Sequence, residues 1–217
     1  MLVVSGILIA LQINNWNERR LEVNREKTTL SNLKEEFQDN LRDLDSIKVE
    51  LSKTIDDLEH LFDMFQEGEL NYSSKTLDSI ISNGLKSPSW KPSEFILNDL
   101  KSSGGLSKLT NKELKKLLFQ WTRFYNNMKE TVTQTEKTSI DIINFLKNHG
   151  SLRNVDTFGD HSTYERSKLN IDNLKLLQNP KFENHINDKL YVLNEAMDQY
   201  EKARQIIDKI LKETSVN

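Results

Sequence analysis

Apolar residues recur at Leu30, Leu33, Phe37, Leu41, Leu44, Ile47, Leu51, Ile55, Leu58, Phe62 and Phe65, about one every 3.5 residues. That period belongs to a long helix with a narrow packed seam of the coiled-coil kind. No proline interrupts residues 1–67, so the spacing predicts one continuous helix that Gly68 ends. A seam of this length needs other long helices to cover it.

The chain has the signals for two more. Thr110-Asn111-Lys112-Glu113 fits a capping box, the threonine oxygen taking an orphan amide while the glutamate reaches back. Leu114, Leu117, Leu118, Trp121, Phe124, Tyr125 and Met128 follow at helical spacing. Ile140, Ile143 and Leu146 carry the pattern to Gly150, with a kink expected in the Thr-rich stretch 131–139. Asn179-Pro180 starts the third helix, marked by Phe182, Ile186, Leu190, Leu193, Met197, Tyr200, Ile207 and Ile210. Between these, Ser74 caps a short helix ending at Gly84, and Pro88 and Pro92 exclude helix from 86–93. Ser93 caps another over 94–101, which Ser102 to Gly105 end. Residues 150–168 read as loop, with a short helix over 171–177. Nothing alternates as a sheet would. The expected fold is all-α, an up-and-down helical bundle of three long helices plus short middle helices.

Residues 1–13 are apolar and run into Asn14, Asn15, Trp16, Asn17, Glu18, Arg19 and Arg20. This reads as the end of a membrane helix with its interfacial collar, residues 1–17, followed by a bundle domain over 18–217. A bilayer core needs about 20 apolar residues, so the helix is expected to be truncated, its true start lying upstream. No basic segment precedes the run and no small-x-small site follows it, which argues against a signal peptide. Gly6 and Ala10, four apart, would let a second membrane helix approach closely. Trp16 would sit at the interface. An interfacial or partner-packed helix is the competing reading.

The stretch from Gly6 through Leu11-Gln12-Ile13-Asn14-Asn15-Trp16-Asn17-Glu18 resembles the signature of a family of uncharacterised single-pass membrane proteins common in Bacteroidota. Leu100 to Leu106, continuing to Asn111-Lys112-Glu113-Leu114, resembles the same family. The resemblance implies an inner-membrane anchor with a helical domain, and no chemistry. Members carry basic residues before the apolar run, which implies a domain on the periplasmic face. Arg19, Arg20, Arg25 and Lys27, which follow the run here, argue for the cytoplasm.

A net charge of −3 gives no reason to expect nucleic acid, and the absence of cysteine excludes disulfides and thiolate metal sites. The four histidines form no metal motif. His60, near Asp56, Asp57 and Asp63, reads as part of an exposed acidic stretch rather than a cation site. His149, at a helix end, suits the helix dipole. Ser102-Ser103-Gly104 lacks a nucleophile elbow, and Gly104-Gly105 lacks a Walker lysine. Trp121, Phe124 and Tyr125 read as core. Trp90, held between Pro88 and Pro92, is a candidate partner or pocket contact, with Pro92, Ser103 and Gly104, although such a tryptophan more often plugs the end of a bundle. No cofactor or metal and no enzyme activity are expected. The expected function is a non-enzymatic interaction or sensor-like module. The alternative is a structural spacer or envelope assembly component that self-associates along the seam. Expected partners are the membrane, through the N-terminal helix, and a second copy or another protein.

Overall fold

The seam that begins at Leu30 lies on one unbroken helix, α1, which spans Leu2–Glu67. The computed structural model describes residues 2–67 and 72–215, so the stop expected at Gly68 lies outside the described residues. Among the described residues six further helices follow: α2 (Ser74–Gly84), α3 (Phe95–Ser102), α4 (Gly105–Lys108), α5 (Lys112–His149), α6 (Leu152–Asp156) and α7 (Pro180–Thr214). A 3-10 helix, Asn173–Gln178, precedes α7. Among the described residues there is no strand, and the fold is all-α.

Helix starts shift by one residue from the expected caps. Ser73, not Ser74, caps α2 by accepting the Thr76 amide at 3.0 Å. Asn111, not Thr110, caps α5, its Oδ1 accepting the Leu114 amide at 3.0 Å. Thr110 instead donates both its amide and its hydroxyl to the Glu26 carboxylate of α1. Helix α5 has no break at 131–139. Thr135 and Thr138 donate their hydroxyls to the carbonyls of Val132 (2.8 Å) and Thr135 (2.9 Å), so these polar side chains are satisfied within the helix.

The chain divides into two compact units. The first comprises Met1–Arg42, Pro92–Trp121 and Gln205–Asn217. In it the predicted seam residues Leu30, Leu33 and Phe37 are buried, and Phe37 meets Trp121 edge-on at 5.4 Å. The start of α3 is held by α1. Glu36 accepts the Ser93 hydroxyl at 2.7 Å and the amides of Ile96 (3.0 Å) and Leu97 (3.3 Å). One turn on, Asn40 exchanges two hydrogen bonds with the Ser93 backbone. A carboxylate at a helix N-terminus satisfies orphan amides and meets the positive end of the dipole. Glu36→Ala should therefore cost about 2 kcal/mol in urea unfolding, more than a side-chain cap from α3 itself would. A loss below about 0.5 kcal/mol would show that water replaces the carboxylate.

The second unit comprises Asp43–Lys91 and Thr122–Arg204. Phe182 of α7 joins it together, lying 5.8 Å from Phe65 of α1 and stacked at 5.7 Å on Phe145 of α5. At this end of α1 the fully buried positions are Leu61 and Met64. The expected Phe62 and Phe65 are only half-buried. They pack against each other at 6.0 Å on the flank of the seam, and Phe182 meets Phe65 there.

The N-terminal segment corrects an expectation. Among the described residues no helix is long and apolar enough to cross a membrane. The apolar run ends at Ile13, and six of the next seven residues are Asn, Glu or Arg. At 1.5 Å per residue such a run covers about 20 Å of a core about 30 Å thick. The expected single-pass inner-membrane anchor with a periplasmic domain is thereby overturned. Helix α1 runs without interruption past Asn17, as the absence of proline from residues 1–67 predicts.

Candidate functional site

Lys189 of α7 lies three residues after Ile186 and four before Leu193, both of them buried. Helix geometry therefore carries it to the core face. Its side chain is fully enclosed, at 0% exposure. Its Nζ lies 2.6 Å from the Ser139 Oγ of α5 and 3.1 Å from the Ser87 Oγ. The two hydroxyls are 2.7 Å apart, and Ser87 also donates to the Thr135 carbonyl at 3.2 Å. Among the described residues no carboxylate pairs with Lys189. Burial pushes its pKa down from 10.5 to about 8. An amine so placed is enclosed, hydrogen-bonded and part-neutral near physiological pH.

Ser87 sits in the proline-fixed segment that follows α2, immediately before Pro88. It lines a cleft of about 600 Å³. Lys53, Asp57, Asn83 and Lys86 line the same cleft. Burial raises the Asp57 carboxyl, against the pull of its hydrogen bond with Asn83 and of nearby His60. The cleft thus presents both signs of charge, with Ser87 joining it to the enclosed lysine.

A second buried polar group lies in the same unit. Asp78 of α2 has no exposed surface. It accepts from Arg166 and from Asn173, each at 2.5 Å. Asn173 then accepts the Ser151 amide at 2.7 Å and donates to the Ser151 carbonyl at 3.1 Å. A Cβ at Gly150 would sit 2.6 Å from that Asn173 oxygen, so the link requires glycine there. Arg166 reaches Asp78 through Nη2 alone, its Nη1 being buried without a partner among the described residues, and the network acts as a clasp for α2, α6 and the loop between α6 and α7.

The residues singled out from the sequence fall elsewhere. Gly6, Ala10 and Trp16 are exposed, and a Cβ on Gly6 would touch nothing within 4 Å. The Arg20 guanidinium lies 5.7 Å from the Trp16 ring. Trp90 is buried. It packs edge-on against Tyr200 at 6.0 Å, and its amide donates to the Tyr200 hydroxyl at 2.9 Å. Pro92 is buried in the first unit. Ser103 caps the end of α3, and Gly104 turns the chain into α4 with φ +71, a left-handed conformation suited to glycine. His60 packs edge-on to Tyr72 at 6.2 Å. Among the described residues no group of three His, Asp or Glu side chains is placed to hold a metal ion.

Lys189, Ser87 and Ser139 were not among the expected sites. The visible signal was a lysine on the apolar stripe of α7. A matching run of Thr131, Thr135, Thr138 and Ser139 falls where α5 should be apolar.

Residues 1–67 match the model of DUF6090, a family of unknown function. The match coincides with α1 and ends where α1 ends. Ser87, Ser139 and Lys189 lie outside it. No curated protein and no solved structure matches the chain.

Proposed function

We propose that the chain is an interaction module that works through the N-terminal part of α1, with a second copy of itself as the partner. One observation carries this reading. Val4, Ile7, Leu8, Ile9, Leu11, Ile13 and Trp16 are each more than half exposed. Val4, Ile7, Leu8 and Leu11 stand at i, i+3, i+4 and i+7, the spacing of a helix face that docks against another helix. Ile9, Ile13 and Trp16 form a second stripe on the same helix. Two apolar stripes on one exposed helix suit an assembly in which each arm has neighbours on both sides. The same helix in every copy supplies the complementary surface without a further component.

The seam from Leu30 onward is not available for this. Its residues Leu33, Leu44, Leu51 and Leu58 are already buried within the chain. Self-association along that seam therefore gives way to self-association through the arm. The up-and-down bundle of three long helices belongs to this reading as well.

Sedimentation equilibrium of the full chain tests it. The expected result is concentration-dependent association in the micromolar range. The double substitution Ile7→Lys, Leu11→Lys should abolish it and leave the thermal unfolding transition in place. A wild type that stays monomeric overturns the reading, as does association that survives the double substitution. Flotation of a monomeric chain with phosphatidylcholine vesicles would also overturn it, in favour of lipid as the partner.

A further inference from the structure

Lys189 is costly to keep where it is. An enclosed amine without a carboxylate is rare in proteins, because its charge has lost water and gained no counter-charge. Its two nearest partners are hydroxyls, and one of them, Ser87, borders a cleft wide enough for a small molecule. A serine oxygen within reach of a desolvated lysine is the working pair of serine nucleophiles that use an amine in place of histidine. The three residues come from three separate parts of the chain and converge within hydrogen-bond distance.

We propose that Ser87 is an acyl-accepting nucleophile, with Lys189 as its general base and Ser139 as a positioning residue, and that the cleft admits small polar esters. The neutral Lys189 amine takes the Ser87 hydroxyl proton as Oγ attacks the ester carbonyl carbon. The carbonyl electron pair moves to oxygen, for which Lys86, Asn83 and Lys53, lining the same cleft, can serve as donors. As the pair returns, the bond to the alcohol oxygen breaks, and the departing alkoxide takes the proton from Lys189. The acyl group is then held on Ser87. Water, giving a proton to Lys189, attacks the acyl carbon. Ser87 leaves with that proton and the carboxylic acid is released. The sum is ester plus water to acid plus alcohol, with no redox change.

Ser139 bonds both members of the pair, at 2.7 Å to Ser87 and 2.6 Å to Lys189. It holds the amine on the side of Ser87, and it is itself buried and does not line the cleft. The mixed charges of the cleft favour a polar acyl group over a fatty one. This activity is separate from assembly through the arm and survives the failure of that reading.

The test uses the purified full chain and an alkyl fluorophosphonate, which phosphonylates an activated serine oxygen with loss of fluoride. Intact mass should show a single adduct at pH 9, and peptide mapping should place it on Ser87. Ser87→Ala should remove the adduct. Lys189→Met, which suits an apolar core, should slow labelling at least 100-fold while its far-UV dichroism and melting transition persist. Ser139→Ala should slow labelling by about tenfold and shift the midpoint of its pH profile. The wild-type rate should rise with pH to a plateau, with a midpoint near the Lys189 value of about 8. No adduct at any pH overturns the proposal. So does an adduct that survives Ser87→Ala, or labelling of folded Lys189→Met at the wild-type rate.

Discussion

Replacing Lys189 by methionine should make the protein more stable at pH 7, by up to about 3 kcal/mol in urea unfolding. The size follows from the fall of its pKa from 10.5 to about 8 on folding. Below pH 8 the lysine is protonated in both states, and the folded state bears the full cost of the enclosed charge. Between 8 and 10.5 the unfolded chain still holds the proton that the folded chain has released, so stability rises with pH. Above 10.5 the amine is neutral in both states and the cost is gone. The contribution is therefore fully present above 10.5 and lost as pH falls through 8. Methionine has a similar length and no charge. The Ser87 and Ser139 hydroxyls keep each other as partners at 2.7 Å, and Ser87 keeps the Thr135 carbonyl. Denaturation of wild type and variant at pH 7, 9 and 10.5 checks this. The gap should be widest at pH 7 and close as pH rises. A gap that stays constant with pH would mean that Lys189 finds water in the folded state.

Asp78→Ala should do the opposite, costing about 3 kcal/mol at pH 7. The substitution strips Arg166 and Asn173 of their shared acceptor. Asn173 is itself enclosed, so its amide would be left without that partner. Arg166 is partly exposed and recovers some hydration, which keeps the loss at the lower end for a broken buried pair. Asp78→Asn keeps the shape and one acceptor oxygen, and should cost less. Burial holds the Asp78 carboxyl above its ordinary 3.8, opposed by its bonds to Asn173 and Arg166. With the folded pKa raised, this group favours the fold most below 3.8, and that contribution is lost as pH rises through the folded value. Urea midpoints for the three proteins between pH 3 and 7 would check both points. Equal stability of Asp78→Ala and wild type would show that the clasp is not a structural link.

The legible part of this chain was its helical rhythm. The seam positions Leu30, Leu33, Phe37, Leu44, Leu51, Ile55 and Leu58 are buried as their spacing requires. Pro180 begins α7, as a residue with a fixed φ and no amide to waste should. Cap positions slipped by one residue because neighbouring Ser, Thr and Asn side chains compete for the same amides. At Thr110 the winner is decided by Glu26, 84 residues away. The start of α3 was misjudged for the same reason. Ser93 does reach the Phe95 amide at 3.3 Å, but Glu36 takes the next two amides from another helix.

The candidate site was least legible. Ser87, Ser139 and Lys189 carry no local motif, and each read alone is an ordinary polar residue. A polar residue on a helix stripe looks like an interruption of the apolar pattern until the facing stripe is known. Here the facing stripe of α5 is interrupted at Thr135, Thr138 and Ser139, and the interruptions meet. Trp90 was open in the sequence between a partner contact and a plug at the end of a bundle. The ring is buried on Tyr200, as a plug would be.

Periodicity, capping chemistry and the placement of proline are local, acting over one or two turns of backbone. They determined from the sequence that the fold is all-α, which seam residues its core draws on and, to within about one residue, where α5 and α7 begin. Which polar groups would be enclosed, and beside what, depends on contacts between residues 50 to 102 positions apart. Only the tertiary structure decided that Lys189 would lose water without gaining a carboxylate, and that Ser87 would stand between it and the cleft.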